Sequence, residues 1–102
     1  MNIKNFILIL LCVLLSACAS ARRASELQDG KLTFAAGNYQ SAFHKLLPLA
    51  IDGEAQAQYA VGYMYYNGLG VSADPQTGIA WMNKSAAQHY QPAMQAMEEL
   101  EH

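Results

Sequence analysis

Histidine and serine are the side chains here whose types could support metal or nucleophilic chemistry. None of the histidines has a second histidine or a cysteine three or four residues away, the spacing that places two ligands on one helix face. The serines stand in no paired arrangement with His and Asp at motif spacing, although a triad assembled only in space stays open. The residues are His44, His89, His102, Ser41, Ser72 and Ser85. We therefore expect no metal, no cofactor and no catalytic residue.

Cysteine offers a different chemistry near the N-terminus. An uninterrupted apolar run from Phe6 to Leu15 follows the positive charge of Lys4. A transmembrane helix needs about 20 apolar residues, whereas the apolar region of a signal peptide needs about 7–15. Cys12 lies inside the run and would leave with it, so the mature chain would keep Cys18 alone and form no internal disulfide.

The end of the apolar run, Leu15-Ser16-Ala17-Cys18, resembles the lipobox of bacterial lipoproteins. The resemblance implies that residues 1–17 are a removed signal peptide and that Cys18 carries the lipid, palmitate included. Residues 18–24 would then form a lipidated tether. Two or three acyl chains hold a protein stably on a membrane, at about 0.8 kcal/mol per buried CH₂. Conventional cleavage after Ala17 or Ala19 is the alternative.

The residue after the cysteine, Ala19, is similar to the pattern that Gram-negative bacteria export to the outer membrane. The expected location is therefore the cell envelope, on the outer membrane and facing the periplasm. The charge of the chain predicts no other means of membrane attachment. The net charge is −2, and it becomes −3 once Lys4 leaves with the leader. Such mild acidity predicts no nucleic-acid partner and no binding of the folded surface to anionic lipid.

Glycine and proline divide the remaining chain into helix-length segments, and no long alternating stretch predicts a strand. The spacing of apolar residues predicts helices over about 24–36, 39–51, 54–67, 74–88 and 92–101. Asp74 is expected to cap the fourth helix, with Pro75 at its first position.

An internal repeat indicates how these helices are arranged. Residues 54–58 can be laid on 91–95, at an offset of 37 residues. Segments 55–71 and 74–89 resemble the two halves of a Sel-one-like repeat, a relative of the tetratricopeptide repeat. The matching residues are Ala55, Ala57, Gln58, Tyr59, Val61, Gly62, Tyr65, Gly68, Gly70, Val71, Asp74, Gly78, Trp81, Lys84, Ser85, Ala86 and His89. The resemblance implies an all-α fold over 25–102: a short α-solenoid of antiparallel helix pairs, with one full repeat between two half-units.

Several positions are expected to serve the repeat itself. Small residues let helices approach, glycines allow a compact loop, and large side chains fill the remaining space. These repeat-structural residues are Ala57, Gly62, Tyr65, Gly68, Gly70, Val71, Trp81 and Ala86. The chain departs from the family, which has Ala at Gly78 and Ser85 and Gly at Tyr90. A helical glycine costs about 1 kcal/mol against alanine, so we expect local softness at Gly78.

Three tyrosines at i, i+4 and i+7 form a stripe on the third helix: Tyr59, Tyr63 and Tyr66. One interpretation is packing between helices. The other is a concave recognition face for a protein partner, since tyrosine suits protein contacts and the first helix of each solenoid pair lines the groove. In the second interpretation Gln56, Met64 and Asn67 flank the stripe.

The preferred functional hypothesis is a non-enzymatic, membrane-anchored adaptor that binds an envelope protein, as Sel-one-like repeats generally mediate protein–protein contacts. The alternative is an envelope enzyme or a peptidoglycan- or β-lactam-binding protein, because some relatives with many cysteine-paired repeats have been linked to such ligands. The absence of mature disulfides and of an acid–base constellation in the sequence favours the adaptor.

Overall fold

The computed structural model describes the backbone of residues 2–101 and, apart from positions 16–20, their side chains. The elements are α1 (Ile3–Ala35), α2 (Tyr39–Ile51), α3 (Ala55–Asn67), α4 (Pro75–Ala86) and α5 (Gln91–Leu100), with no strand among the described residues. Each helix packs against the next in chain order. The predicted all-α solenoid is confirmed.

The first helix differs from its expected limits. It begins at Ile3 rather than near residue 24 and runs for 33 residues. The physical reason is local, because no glycine or proline interrupts the chain before Gly30, and Leu, Ala and Arg favour helix. The segments expected as leader and tether therefore belong to the same continuous helix. The large apolar side chains between Ile3 (75%) and Leu15 (65%) are exposed.

The remaining helices follow the local signals closely. Asp74 caps α4, where its carboxylate accepts hydrogen bonds from the Thr77 amide (3.3 Å) and hydroxyl (2.6 Å), and Pro75 is the first helical residue. α3 ends at Gly68, which adopts the left-handed conformation (φ 69°). α4 ends at Ala86, two residues before the expected end.

The core lies mainly between α2 and α3. Both helices bury one face, and the buried residues are Ala42, Phe43, Leu46, Leu49, Ala50, Ala57, Val61 and Met64. Leu27 and Phe34 of α1 and Trp81 of α4 pack against this cluster while staying partly exposed. The repeat thus obtains its hydrophobic core from the half-unit before it, as one helix pair has too little apolar surface of its own.

Two glycines set the distance between α3 and α4. A Cβ atom built on Gly62 would lie 2.7 Å from the Gly78 carbonyl oxygen, and one on Gly78 would lie 2.6 Å from the Gly62 carbonyl oxygen. Both contacts are with backbone, which cannot move aside as a flexible side chain can. Gly78, expected as a soft point, is therefore buried at the closest approach of the two helices.

A third glycine brings the loop after α3 against α2. Gly70 has a φ of 75°, and a Cβ atom there would lie 2.5 Å from both the carbonyl carbon and the carbonyl oxygen of Tyr39. Only glycine fits this position without moving the loop, for reasons of both backbone conformation and space. The Gly70 contact fixes the loop beside the first turn of α2.

Hydrogen bonds from the buried Ser85 and from the exposed Gln88 tie the end of α4 to the start of α3. The Ser85 hydroxyl donates to the Ala55 carbonyl at 2.7 Å. The Gln88 amide nitrogen donates to the Gly53 carbonyl and to the Gln58 side-chain oxygen, both at 2.9 Å. Gln58 is 5% exposed and donates in turn to the Ala50 carbonyl at 3.2 Å. Such bonds satisfy polar groups that burial would otherwise leave unpaired.

The close approach of α3 and α4 predicts the effect of alanine at the helical glycines. We expect Gly62→Ala and Gly78→Ala each to lower the free energy of unfolding by about 1–3 kcal/mol, because overpacking outweighs the gain in helix propensity. Denaturant unfolding of the full chain in detergent micelles, followed by circular dichroism, measures the change.

Gly30→Ala is the comparison variant, since the atoms nearest to its Cβ atom would be those of the buried Leu46 side chain, at 2.6 Å, and not backbone. We expect a smaller loss or none. A Gly78→Ala protein more stable than the parent would show that helix propensity, not close packing, governs this position.

Candidate functional site: an aromatic binding face

Five aromatic rings form a connected row across three helices, here named the aromatic string. Ring centroids are separated by 5.1 Å for Tyr39–Phe34, 6.2 Å for Phe34–Tyr63, 6.4 Å for Tyr63–Tyr59 and 5.8 Å for Tyr59–Tyr90. These spacings are those at which aromatic pairs attract one another. The string joins the end of α1, the start of α2, α3 and the residue before α5.

The helical period divides α3 between core and surface. Tyr59 and Tyr63 are four residues apart and share one face, whereas Ala57, Val61 and Met64 point into the core and are fully buried. Tyr63 keeps 41% of its surface exposed. The string therefore combines packing with accessibility, and a role of the stripe in recognising a partner stays a prediction.

Two grooves lie on either side of the Tyr59–Tyr63 ridge. The first groove, of about 440 Å³, runs towards α1 and α2, and its lining residues are Phe34, Tyr39, Tyr59, Ala60, Tyr63 and Leu69. The second groove, of about 260 Å³, runs towards α4 and α5, and its lining residues are Tyr59, Tyr63, Tyr66, Asn67, Met82, Ala96, Glu99 and Leu100.

The residues predicted to bind a partner are partly brought together. Tyr59, Tyr63, Tyr66 and Asn67 line the second groove, and the Asn67 side-chain amide donates to the Tyr63 carbonyl at 3.0 Å. Gln56 lines neither groove, but its side-chain oxygen accepts a hydrogen bond from Lys31 of α1 at 3.2 Å. Their role in binding stays a prediction.

One flanking residue was placed wrongly. Met64 is fully buried in the core and takes no part in the accessible face. The reason is the helical period, which puts residue 64 beside 57 and 61 rather than beside 59 and 63.

The repeat-structural residues occupy the positions that bring the helices together. Ala57 is fully buried, and the Tyr65 ring stands edge-on to Phe43 at 5.4 Å. The side chain of Val71 packs on the core cluster, as does that of Trp81, over which the Lys84 ammonium lies 4.7 Å from the ring centroid. Ala86, the last residue of α4, is partly buried.

Sequence reasoning missed the residues of the aromatic string that come from outside α3. Phe34, Tyr39 and Tyr90 belong to three different segments, and no local spacing relates them to the stripe. A signal existed for α5, because the 37-residue offset places Ala96 at the equivalent of Tyr59 and Leu100 at that of Tyr63. The second groove lies between these two equivalent rows.

Tyr59 is the ionisable group most affected by this environment. Burial against its neighbours raises the pKa of the Tyr59 phenol, and the nearby Tyr63, Tyr90 and Glu99 raise it further. In the opposite direction, hydrogen bonds from Thr77 hold the pKa of the exposed Asp74 carboxyl below its usual value. The neutral Tyr59 ring is thus the form that the face favours.

The remaining candidate sites fall outside the aromatic face. The Cys18 side chain lies outside the described residues, so lipidation at this position stays a prediction. No helix within the described range is long and apolar enough to cross a bilayer. Over the same range, no three His, Cys, Asp or Glu side chains are grouped so that they could hold a metal ion.

Paired helices stacked in chain order, with an aromatic face on one side, define a helical-repeat protein of the solenoid class. Residues 55–90 match the Sel1 repeat, so the predicted Sel-one-like repeat is confirmed over this segment. Sel1 repeats generally mediate protein–protein interaction.

Known proteins share this similarity. The crystal structure of a Sel1 repeat protein from Oxalobacter formigenes superposes with a TM-score of 0.58 and 34% identity, over 61% of this chain and 18% of that one. Chitin synthase regulatory factor 3 of Schizosaccharomyces pombe is 44% identical over 50 residues, which are 49% of this chain. The chain spans only 5% of the length of that relative.

The raised pKa of Tyr59 predicts how stability depends on pH. The folded state favours the protonated phenol, so its contribution is complete below the pKa of an unfolded tyrosine, about 10, and is lost as pH rises through the higher folded value. We expect ultraviolet difference absorbance to show a phenol that ionises late in the folded protein. Tyr59→Phe should remove this component, and so should denaturant. If the component that ionises late is still present in the Tyr59→Phe protein, the raised pKa belongs to another tyrosine.

Proposed function

We propose that this chain is a non-enzymatic protein-binding module whose contact surface is the aromatic string and its two grooves. The observation that carries the proposal is the row of five paired rings, with Tyr63 at its centre and 41% exposed. The Sel1 repeat at 55–90 supports a binding role, since such repeats generally mediate protein–protein interaction.

The geometry of the string suits recognition. Tyrosine presents a large ring with few rotatable bonds, so little conformational entropy is lost when a partner binds. Here the rings already hold one another in place, which lowers that cost further. The first groove is lined almost entirely by aromatic and aliphatic side chains and fits an apolar side chain of a partner.

The second part of the proposal concerns location. A lipid on Cys18 would hold the module on a bacterial envelope membrane, on the periplasmic side of the outer membrane if Ala19 directs sorting. The lipobox-like sequence Leu15-Ser16-Ala17-Cys18 supports this anchor. With a tether of residues 18–24, the binding face would work close to the membrane surface.

Photo-crosslinking tests the binding face. A photoreactive amino acid at position 63 should form a crosslink to one envelope protein and so enrich it on purification. The same group at the exposed position 76 of α4, in place of Gln76, should not. With that protein purified, we expect Tyr63→Ala to weaken its binding by about tenfold, the effect of losing one interface anchor.

Ile51→Ala is the matched control, since Ile51 is a 66% exposed apolar residue outside both grooves. We expect it to bind as the parent does. Equal affinities of the parent and the Tyr63→Ala protein, with both folded by circular dichroism, would contradict a role for the aromatic string.

Metabolic labelling tests the anchor, and the chain offers its own control in the second cysteine. Labelled palmitate should enter the parent protein and the Cys12→Ser protein but not the Cys18→Ser protein, because the Cys18 thiol would receive diacylglycerol and the amine freed by cleavage would then be acylated. Detergent-phase partitioning measures the consequence. A Cys18→Ser protein that stays in the lipid phase after processing would contradict the anchor.

A further inference from the structure

The second groove carries one charged residue among otherwise neutral ones. Tyrosines of α3 form one wall, Ala96 and Leu100 of α5 form the other, and Glu99 of α5 supplies a carboxylate. Within residues 2–101 the ion pairs are Arg22–Glu26 and Lys45–Asp29, both far from α5 in sequence. A carboxylate beside aromatic rings is an arrangement that attracts a cation.

The Glu99 carboxylate interacts electrostatically with Tyr59 of the ridge. Its charge is among those that raise the pKa of the Tyr59 phenol, which places the two groups within electrostatic range across the groove. The neighbouring Glu98 belongs to the same turn of α5 but does not line the groove. The two carboxylates therefore differ in location while sharing charge, helix and exposure.

We propose that the second groove binds a basic side chain, arginine or lysine, from an extended segment of the protein partner. Glu99 is its counter-ion, and the rings of Tyr59, Tyr63 and Tyr66 provide cation–π contacts. This inference rests on the proposed function and names the chemistry of the partner.

The two grooves together define a recognition pattern. They share the Tyr59–Tyr63 ridge, so a segment crossing the ridge places an apolar side chain in the first groove and a basic one in the second. Arginine suits the second site best, because its planar guanidinium can stack on a ring and bond a carboxylate at the same time. An acidic segment is disfavoured there by Glu99 and by the net charge of −2.

Selection from a random peptide library, displayed on phage, tests this inference without knowledge of the natural partner. The full chain in detergent micelles is the bait, and the selected peptides are synthesised for affinity measurement. We expect the peptides to be enriched in arginine or lysine near an apolar residue. Replacing that arginine by citrulline, its neutral isostere, should weaken binding by about fivefold.

Glu99→Gln and Glu98→Gln form the matched pair of variants. We expect Glu99→Gln to weaken the binding of the basic peptides about fivefold and to reduce its salt dependence. Glu98→Gln should leave the affinity and the salt dependence nearly unchanged. The Met82 methyl group lines the groove, so its NMR signal should shift on binding while that of the buried Met64 stays in place.

The outcomes separate this inference from the function on which it rests. Two results would overturn the basic-segment inference and leave the aromatic face as a binding surface. One is the selection of peptides that need Tyr63 but are apolar or acidic. The other is the selection of basic peptides whose affinity Glu99→Gln does not change. Peptides whose binding survives Tyr63→Ala would overturn both.

Discussion

The close contact between the backbones of α3 and α4 at Gly62 and Gly78 determines where the rest of the repeat can lie. Each glycine faces the carbonyl oxygen of the other, with less room than a methyl group requires. This approach allows the Ser85 hydroxyl to reach the Ala55 carbonyl and the Gln88 amide to reach Gly53 and Gln58. Because α5 packs on α4, the same contact also sets the wall of the second groove.

The three positions at which the chain departs from the Sel-one-like pattern all make contacts in the folded structure. Gly78 meets Gly62, Ser85 bonds the Ala55 carbonyl, and the Tyr90 ring stands 5.8 Å from that of Tyr59. Two of these departures tighten the α3–α4 pair, and the third extends the aromatic string towards α5. The departures therefore adjust the helix packing and the aromatic face together.

The helical period gives α3 two faces with different surroundings. One face, with Ala57, Val61 and Met64, is buried against α2 and carries the stability of the repeat. The other face presents Tyr59 and Tyr63, which need the core behind them to stay in position. The proposed binding surface is thus supported by the core behind it, and preorganisation of that kind favours affinity.

Local signals in the sequence were enough to predict helices α2 to α5, the repeat and the loops between them. Asp74 and Pro75 start α4, Gly68 ends α3, and the Gly–Pro pattern separates the segments, since caps and turns depend on neighbouring residues only. The start of α1 at Ile3 was missed, because an expected tether has no helix-breaking residue to distinguish it from helix. The tertiary structure alone brought Phe34, Tyr39 and Tyr90 to the tyrosine stripe and placed Glu99 across a groove from Tyr59. These residues are far apart in the chain, and only the packing distance between helices, set by glycines that touch backbone, decides which side chains meet.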